Sequence, residues 1–464
     1  MSTALRYKTF LLIGTSLLFF SMNIYGQEDP TLQQYIDEGL KNNSVIQERN
    51  ISLEKALLSL KTAKNLFLPV VGLQGAYQNG DGGRNISIPI GDLLNPVYST
   101  LNQLTASQSF PQVENVKQNF FPNNFYDVKV RASMPIINTD LIYNKKLQAG
   151  YVTLQQLELD IYKRELVRDI KIAYFNYISA IRAVSIYENA LEVAKEGKRI
   201  NQRLLENGKG LPAYLLRSDA ETEAIEAKYN EAKRQVMNAG LYFNFLINTK
   251  PDDAIDTSFD PAKGIAEVML RVKSVPVLQT REEILQLEQV KTLQEMQLNL
   301  NKSYVVPKLS GFADIGLQAE KMKFNSSDAD YYLVGMQLDV PLFAGFTNRH
   351  KIRQSKLDLH LSTLQITDVQ NRLSMSASIS FNELNNAWNQ YQSALRQEQS
   401  ATAYYRLIDK GYKEGVNTFL EMLDARNQLT NTGLQVNLAQ MNVMISLARV
   451  EREEGTYSIK NSKN

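Results

Sequence analysis

The chain has 464 residues, with 51 Lys and Arg, 49 Asp and Glu, 2 His and no Cys. Without Cys there can be no disulfide, thiolate metal site or Cys nucleophile, and the balanced charge argues against a nucleic-acid-binding protein. His350 and His360 stand ten residues apart outside any metal-binding motif, and the sequence has neither a nucleotide-binding loop nor a nucleophile elbow. We therefore predict no enzyme activity, no cofactor and no metal.

The N-terminus has the layout of a secretory signal peptide. Arg6 and Lys8 precede the apolar run TFLLIGTSLLFF, and polar residues begin at Gln27. The run is shorter than the roughly 20 apolar residues that cross a bilayer, so we predict a signal peptide over residues 1–26 rather than a membrane anchor. No later stretch predicts a transmembrane helix, so any membrane contact must come from strands or from a helix lying on the surface.

The remaining sequence contains one order of elements twice. A helical stretch ends at a proline and leads into a strand at Pro69 and again at Pro307, and a second strand ends at Pro135 and again at Pro341. Each half continues with a very long helix, a tip and a returning helix. We predict a first repeat over 27–250, a connecting segment over 251–274, a second repeat over 275–453 and a C-terminal tail over 454–464, disordered after Gly455.

The two predicted tips carry similar motifs. GLPAYLLRSDA begins at Gly210 and GVNTFLEMLDA at Gly415, so this alignment places the repeats 205 residues apart (415 − 210 = 205). In each motif Leu follows the glycine by five residues, Asp by nine and Ala by ten. Any one match could arise by chance. Each half, however, has in the same order a helix that ends at a proline before a strand, a second strand that ends at a proline, a very long helix and a tip, and these four landmarks indicate an internal repeat.

The long helices have the spacing of a coiled-coil seam. Apolar or small residues recur at alternating intervals of four and three, which predicts two antiparallel helical hairpins. A helix from Tyr143 to Glu206 would be about 95 Å long at about 1.5 Å per residue. The predicted seam residues are Leu166, Ile170, Ala173, Tyr177, Ala180, Val184, Tyr187, Leu191, Ala194, Ile225, Tyr229, Ala232, Val236, Ala239, Phe243 and Leu246, with Leu373, Ala377, Ser380, Leu384, Ala387, Tyr391, Ala394, Leu434, Leu438, Met441, Ile445 and Ala448 in the second half.

The predicted strands have one apolar and one polar face. From Tyr126 to Met134 apolar residues alternate with Asp127, Lys129 and Arg131. An apolar outside and a polar inside suit a transmembrane barrel, but four strands cannot close one, so several chains would have to share it. Two soluble hairpins with one solvated face are the alternative. The long Asn- and Gly-rich segment between Pro69 and Pro135 is predicted to be a loop.

The order of these motifs, with the MPI and VPLFAG strand ends, resembles the TolC-like outer-membrane efflux protein family over residues 30–453. The resemblance implies a mainly α fold with a transmembrane β-barrel: a homotrimer with a shared twelve-stranded barrel in the outer membrane and an α-helical tunnel in the periplasm. It implies a passive exit duct of a tripartite efflux or type I secretion system, in contact with outer-membrane lipid, a periplasmic adaptor (membrane fusion protein) and an inner-membrane pump. A soluble periplasmic coiled-coil adaptor or structural protein is the alternative function.

The resemblance also implies a gate at the tips. Glu421 and Asp424 match the acidic rings that line the closed periplasmic mouth in that family, and Tyr412 matches a residue of its closing network. Their alternative role is that of ordinary solvated acids, which are favoured at a helix N-terminus in any protein.

The adaptor is expected to contact the tips at Gly210, Leu211, Gly415 and Val416. This sequence departs from the family pattern beside the gate, because Asn417 stands where an arginine is typical. Leu215 and Leu216 likewise stand where Thr and Asp are typical. We therefore expect the polar latch of the family to be built differently here.

Overall fold

The computed structural model describes residues 30–80, 82–120, 124–259, 261, 264–265, 268–269, 272, 281–320, 329–457 and 459. The predicted signal peptide lies outside the described residues, as does most of the predicted connecting segment after residue 259. Among the helices described, none has both the length and the hydropathy of a membrane-spanning segment.

The chain divides into two compact units. The described residues of Met1–Gln47, Tyr162–Gln279 and Leu373–Asn464 form the first, which we call the helical unit. Glu48–Ile161 and Thr280–Arg372 form the second, which we call the strand unit. Each unit draws residues from both predicted repeats.

The strand unit contains a four-stranded antiparallel sheet. Its strands are β1 (Val70–Gln78), β4 (Phe125–Ile137), β5 (Lys308–Glu320) and β6 (Asp330–Asp339), in the order β1-β4-β5-β6. The pairing of β4 with β5 joins the two predicted repeats. Strands β1 and β6 lie at the edges, so each has one side that no strand of this sheet pairs.

Strand β4 continues two residues past the predicted end at Pro135. A shift in its register with β5 falls between Pro135 and Ile137. A proline is tolerated at such an irregularity because the ladder there does not need its missing N–H group.

The predicted loop between β1 and β4 contains regular structure. It holds β2 (Asn85–Ile88), α3 (Ile90–Leu104) and β3 (Val116–Asn119), and β2 pairs with β3 in a separate two-stranded ribbon. The loop prediction was wrong here because it followed the Asn, Gly and Ser content, which is typical of loops, whereas the segment also contains an amphipathic helix.

Seven further helices are described. They are α1 (Pro30–Asn42), α2 (Ser44–Asn65), α4 (Thr139–Glu206), α5 (Pro212–Ile247), α6 (Glu282–Lys302), α7 (Thr347–Lys413) and α8 (Phe419–Glu454), with a short 3-10 turn at Ser303–Val305 after α6. The predicted long helix is confirmed as α4, which starts about one turn before Tyr143.

The helices of the helical unit pack as two hairpins. Ala190, Leu191 and Ala194 of α4 form a buried cluster with Ile225 of α5. In the second hairpin Leu384, Ala387 and Tyr391 of α7 pack with Val443, Leu447 and Val450 of α8. The predicted seams of α4, α5 and α7 are confirmed at these positions. The prediction was wrong for α8, because Val443, Leu447 and Val450 pack on α7 in place of the predicted seam residues. Of the residues predicted there, Met441, Ile445 and Ala448 are buried but Leu438 is 57% exposed. Asn437 is buried instead, and its Nδ2 donates to the Ser179 carbonyl at 2.8 Å.

The first residues of the predicted tail are held in place. Helix α8 ends at Gly455, whose φ of 68° is left-handed. Arg164 Nη1 donates to the carbonyls of Gly455 at 2.9 Å and Tyr457 at 2.6 Å. The prediction of disorder after Gly455 was therefore wrong for Tyr457, because its main chain accepts a hydrogen bond from a long side chain of α4.

Candidate functional site

The polar face of the sheet is built from paired charges. Arg131 on β4 stands opposite Asp314 on β5 and makes two hydrogen bonds of 2.7 Å to its carboxylate. The guanidinium also lies over the Phe312 ring, 5.0 Å from its centroid. Asp314 is only 1% exposed, so a single chain already buries this carboxylate and neutralises it.

A second polar cluster lies on the same face. Lys129 Nζ donates to Asp127 Oδ2 at 2.8 Å, and the Tyr331 hydroxyl donates to Asp127 Oδ1 at 2.7 Å. Each of the four charged groups in the two clusters thus has an opposite charge beside it. This face is hydrogen-bonded without being strongly charged.

The other face of the sheet is apolar and exposed. Cross-strand pairing aligns Leu73, Val130, Ile315 and Tyr332 in one row. Leu73 is 76% exposed and Ile315 72%. The predicted assignment of the two faces is confirmed in this chain. Such an apolar surface requires a cover, which for a sheet of alternating faces is lipid or protein.

The two hairpin tips have the same backbone. Gly208 follows α4 with φ of 69° and Gly415 follows α7 with φ of 76°. In both tips the residue after this glycine bonds back to the last helical turn: the Lys209 N–H to the Leu204 carbonyl at 2.8 Å, and the Val416 N–H to the Gly411 carbonyl at 2.8 Å. Both are glycine helix ends of the Schellman type.

The tips are therefore related by 207 residues rather than 205. Helices α4 and α7 end 207 residues apart (413 − 206 = 207), and α5 and α8 begin at the same separation (419 − 212 = 207). Gly208, not the predicted Gly210, is the counterpart of Gly415. Gly210 has a different role, because a side chain there would collide with the backbone of Leu205.

The two tips expose apolar side chains at the predicted adaptor positions. Leu211 is 56% exposed and Val416 is 77% exposed. Leu216 and Leu420, near the starts of the returning helices, are also exposed. These residues give each tip exposed apolar side chains, and the first tip also carries the exposed Lys209.

Helix α8 begins with a capping box formed by Thr418 and Glu421. Thr418 Oγ1 accepts from the Glu421 N–H at 3.2 Å, and Glu421 Oε2 accepts from the Thr418 N–H at 2.7 Å. Asn417 Nδ2 also donates to Glu421, at 3.3 Å. The main-chain bond from Thr418, followed by the bonds from Asn417 and the Thr418 hydroxyl, lowers the pKa of Glu421 below its ordinary value. Glu421 thus stabilises the start of its own helix.

Asp424 lies one turn further along α8 and is exposed. It makes no hydrogen bond or ion pair with any residue that the structure describes. Because residues three apart face the same side of a helix, Glu421 and Asp424 lie close together. Asp424 is the carboxylate left available for ions or another subunit.

Tyr412 belongs to an aromatic cluster at the tips. The buried Phe419 ring lies 5.4 Å from the Tyr214 ring and 6.3 Å from the Tyr412 ring, measured between centroids. Burial raises the pKa of Tyr412 above its ordinary value. Within this chain Phe419 joins the two tips by contacting Tyr214, and Tyr412 packs beside Phe419 in the second tip.

One residue near the tips was missed by the sequence analysis. Arg426 is only 7% exposed, and its Nη1 donates to the Val193 carbonyl at 3.3 Å. Burial lowers the pKa of Arg426. Gly197 lies opposite, and a methyl group there would already touch the guanidinium. The glycine at position 197, inside helix α4, was the sign in the sequence that another group approaches this helix closely.

Known proteins resemble this chain over nearly its whole length. Residues 276–455 match the family model described as outer membrane efflux protein. Two relatives, each named outer membrane protein TolC, come from Escherichia coli and Salmonella enteritidis; both are 20% identical over 97% of this chain and 86% of their own length.

Solved structures have the same fold. The outer-membrane channel OprN has a TM-score of 0.71 at 18% identity, covering 92% of this chain and 90% of that one. The Campylobacter jejuni CmeC outer membrane channel has a TM-score of 0.71 at 16% identity, covering 94% and 88%. The open state of the Neisseria gonorrhoeae MtrE outer membrane channel has a TM-score of 0.71 at 17% identity, covering 92% and 89%. The predicted mainly α fold with its sheet and the predicted resemblance are confirmed, whereas the trimer, its closed barrel and the roles of the tip residues stay predictions.

Proposed function

We propose that this chain is the exit duct of a tripartite efflux or type I secretion system. Its residues 276–455 match the outer membrane efflux protein family, and nearly all of its length shares the fold of outer-membrane channels. It is an outer-membrane efflux channel whose helices extend into the periplasm. The proposal adds the partners and the way in which the duct is built and gated.

The observation that carries the proposal is the two-faced sheet. Its polar side chains are paired, as with Arg131 and Asp314, while Leu73, Val130 and Ile315 expose an apolar surface. A barrel with lipid outside and water inside needs this division. The edge strands β1 and β6 must also be paired, because open edges are not tolerated in hydrocarbon.

Three copies satisfy that requirement. Each copy contributes four strands, and β1 of one copy would pair with β6 of the next to close a twelve-stranded barrel. The homotrimer is inherited from the family, since the sheet itself requires only that more than one chain takes part.

The duct would be passive and driven by its partners. The sequence has no nucleotide-binding loop, so energy would come from an inner-membrane pump through a periplasmic adaptor. The apolar tip residues Leu211 and Val416 offer that adaptor an exposed contact surface. No catalytic role is proposed, as the named relatives are channels.

At the tips, Asp424 and Glu421 would form a ring of carboxylates, repeated once in each subunit. Clustered negative charge in a narrow passage attracts cations. Because Glu421 also caps α8, Asp424 would contribute more of the available field.

The first test measures the assembly and its membrane contact. We expect the full-length chain to enter the membrane fraction and to have the mass of a trimer in mild detergent. Val130→Lys should impair insertion by about 2 to 4 kcal/mol if it lies near the bilayer centre. Ser133→Lys, on the polar face of the same strand, is the matched control and should insert normally.

Two results would contradict the proposal. Monomers in mild detergent would rule out the shared barrel, and equal insertion of the two variants would show that the faces are assigned wrongly. A chain released in soluble form by osmotic shock would favour the alternative of a periplasmic adaptor or structural protein.

A further inference from the structure

The segment between β1 and β4 exposes an apolar surface that the duct does not use. Three residues of α3, Leu93, Val97 and Leu104, are 68%, 52% and 79% exposed. Their spacing of four and seven residues places them on one side of the helix. Asp92 and Gln103 occupy a different, polar side, and both are exposed. Helix α3 is therefore amphipathic, with its apolar stripe uncovered in the chain.

Reciprocal hydrogen bonds hold α3 in this orientation. Asn95 donates to the Val113 carbonyl at 3.0 Å and accepts from the Val113 N–H at 2.8 Å. About two turns further along the same helix, Asn102 donates to the Phe110 carbonyl at 2.8 Å and accepts from the Phe110 N–H at 3.0 Å. These bonds fix a third side of the helix against segment 110–113, so α3 cannot turn its stripe inward without breaking them.

A similar clamp holds the start of the helix. Asn115 Nδ2 donates to Asp92 Oδ2 at 3.0 Å, and the Asp92 N–H donates to Asn115 Oδ1 at 3.1 Å. Gly91 permits this contact, because a side chain there would collide with the Val113 carbonyl. The exposed apolar stripe therefore lies on a segment whose fold is fixed by these hydrogen bonds.

The ribbon of β2 and β3, which flank α3 in the sequence, also has an apolar side. Ile86 and Ile88 alternate with Asn85 and Ser87 along β2, and Ile88 pairs with Val116 of β3. Ile86 is 52% exposed, Ile88 45% and Val116 45%. Because alternate residues of a strand share a face, these three give the ribbon one apolar side.

Short connections keep this segment close to the sheet. Residues 79–84 join β1 to β2 and residues 120–124 join β3 to β4, and five or six residues span at most about 20 Å. The segment leaves the sheet at the end opposite to the one where α2 enters β1 and α4 follows β4.

Two surfaces of the sheet lie within that reach, and only one of them is apolar. The face of Arg131 and Lys129 is polar, whereas the face of Leu73 and Val130 is the one that would contact lipid. We infer that α3 lies on the surface of the outer membrane, with Leu93, Val97 and Leu104 inserted at the boundary between lipid headgroups and acyl chains. This inference rests on the proposed function, which places the neighbouring strands in the bilayer.

The charge of α3 indicates which kind of membrane contact this is. The helix carries Asp92 as its one charged residue and has no Lys or Arg. Helix α3 therefore cannot bind the membrane through attraction to anionic headgroups. Its contact with lipid should be insensitive to the salt concentration.

The absence of Cys in the sequence makes a direct test possible. Single variants Val97→Cys and Gln103→Cys of the full-length chain would be labelled with a small environment-sensitive fluorophore and reconstituted in phosphatidylcholine vesicles. A nitroxide attached near the lipid headgroup then reports contact. We expect at least about two-fold quenching of the label at position 97, with little at position 103 on the polar side and no effect of salt.

A third variant, Val130→Cys, separates this inference from the proposed function. A label at position 130 should be quenched by a nitroxide placed deep in the acyl chains if the sheet spans the bilayer. Quenching at 130 with none at 97 overturns the inference about α3 alone, and no quenching at either position overturns the proposed function. Oxidative cross-linking between two copies of the unlabelled Val97→Cys variant would show that the stripe meets a second chain, and would also overturn the lipid contact.

Discussion

The two hairpin tips have the same backbone and different chemistry. Each tip ends its first helix with a left-handed glycine and begins its second helix after five intervening residues. The second tip then starts α8 with the Thr418–Glu421 capping box, whereas Leu211 before α5 makes no side-chain capping bond to the described residues. Pro212 begins α5 instead, with φ already suited to a helix. One geometry is thus reached through two local mechanisms.

The interiors below the tips differ in the same way. In the first hairpin Asn201 Nδ2 donates to Ser218 Oγ at 2.7 Å, and both residues are buried. The positions 207 residues later are Ile408 and Ala425, which are apolar. A duplicated backbone can therefore keep its shape while the polar groups that stabilise it are exchanged for apolar ones.

The largest effect is expected where the buried polar pair is broken. Asn201→Ala leaves the Ser218 hydroxyl without one of its bonds and should destabilise the helical unit by about 1 to 3 kcal/mol. The double variant Asn201→Ile with Ser218→Ala copies the second hairpin, and it should recover most of that loss because both polar groups are removed. Thermal unfolding followed by circular dichroism in detergent measures the difference. A double variant as unstable as Asn201→Ala would show that the two interiors are not interchangeable.

A smaller effect is expected from the caps. Thr418→Ala should cost about 0.5 to 2 kcal/mol, since it removes the acceptor for the Glu421 N–H. Leu211→Ala, the matched change in the first tip, removes no cap and should leave the unfolding temperature nearly unchanged. Equal shifts in the two variants would mean that the capping box contributes little to the second tip.

The sequence predicted the hairpins but not the register of their tips. Seam residues such as Ile170 and Leu384 are buried as expected, because helix packing follows directly from the spacing of apolar residues. The 205-residue alignment matched Leu, Asp and Ala by type, whereas the backbone equates Asp219 with Arg426. Helix ends are set by left-handed residues such as Gly208, and a nearby Gly210 gave a competing signal.

The segment containing α3 could not be predicted in this way. Its clamps pair Asn95 with Val113 and Asn102 with Phe110, side chain to main chain, across sequence separations of 18 and 8 residues. Asn is ordinarily a turn residue, so its presence favoured a loop. Along α8 the seam pattern selected Leu438, but Asn437 is the buried residue because it donates to a main-chain carbonyl of α4.

The gate prediction separates the two acids of the second tip. In planar bilayers, Asp424→Asn should lower the ratio of cation to anion permeability, by a factor of about two. Glu421→Gln should lower it less, because that carboxylate is hydrogen-bonded at the helix start. Arg217 and Tyr214 stand at the counterparts of Asp424 and Glu421 in the first tip, so the first tip repeats neither of these carboxylates. Unchanged selectivity in a folded trimer of the double variant would remove both residues from the gate.

The smallest effect concerns pH. The hydrogen bonds of Glu421 lower its pKa below the ordinary 4.5, so its stabilising contribution is present above pH 4.5 and is lost as the pH falls through the lowered pKa. The difference in unfolding temperature between the wild-type chain and Glu421→Gln should therefore shrink in acid. The counterpart in the first tip is Tyr214, which has no carboxyl group to cap a helix. A difference that stays constant from pH 7 to pH 3 would contradict the capping role of the carboxylate.

The attachment of the last described residues has a consequence for the order of folding. Lys171 Nζ donates to Glu451 at 2.8 Å, and Gln33 donates to the Tyr457 hydroxyl, 424 residues away in the sequence. The strand unit contains no residue beyond Arg372, whereas Glu451, which binds Lys171, lies about 80 residues later in the sequence. Burying that ammonium group before Glu451 arrives would cost the desolvation of a charge. The helical unit therefore cannot be completed until the last segment of the chain is present, because residues from near both ends of the sequence pack together in it.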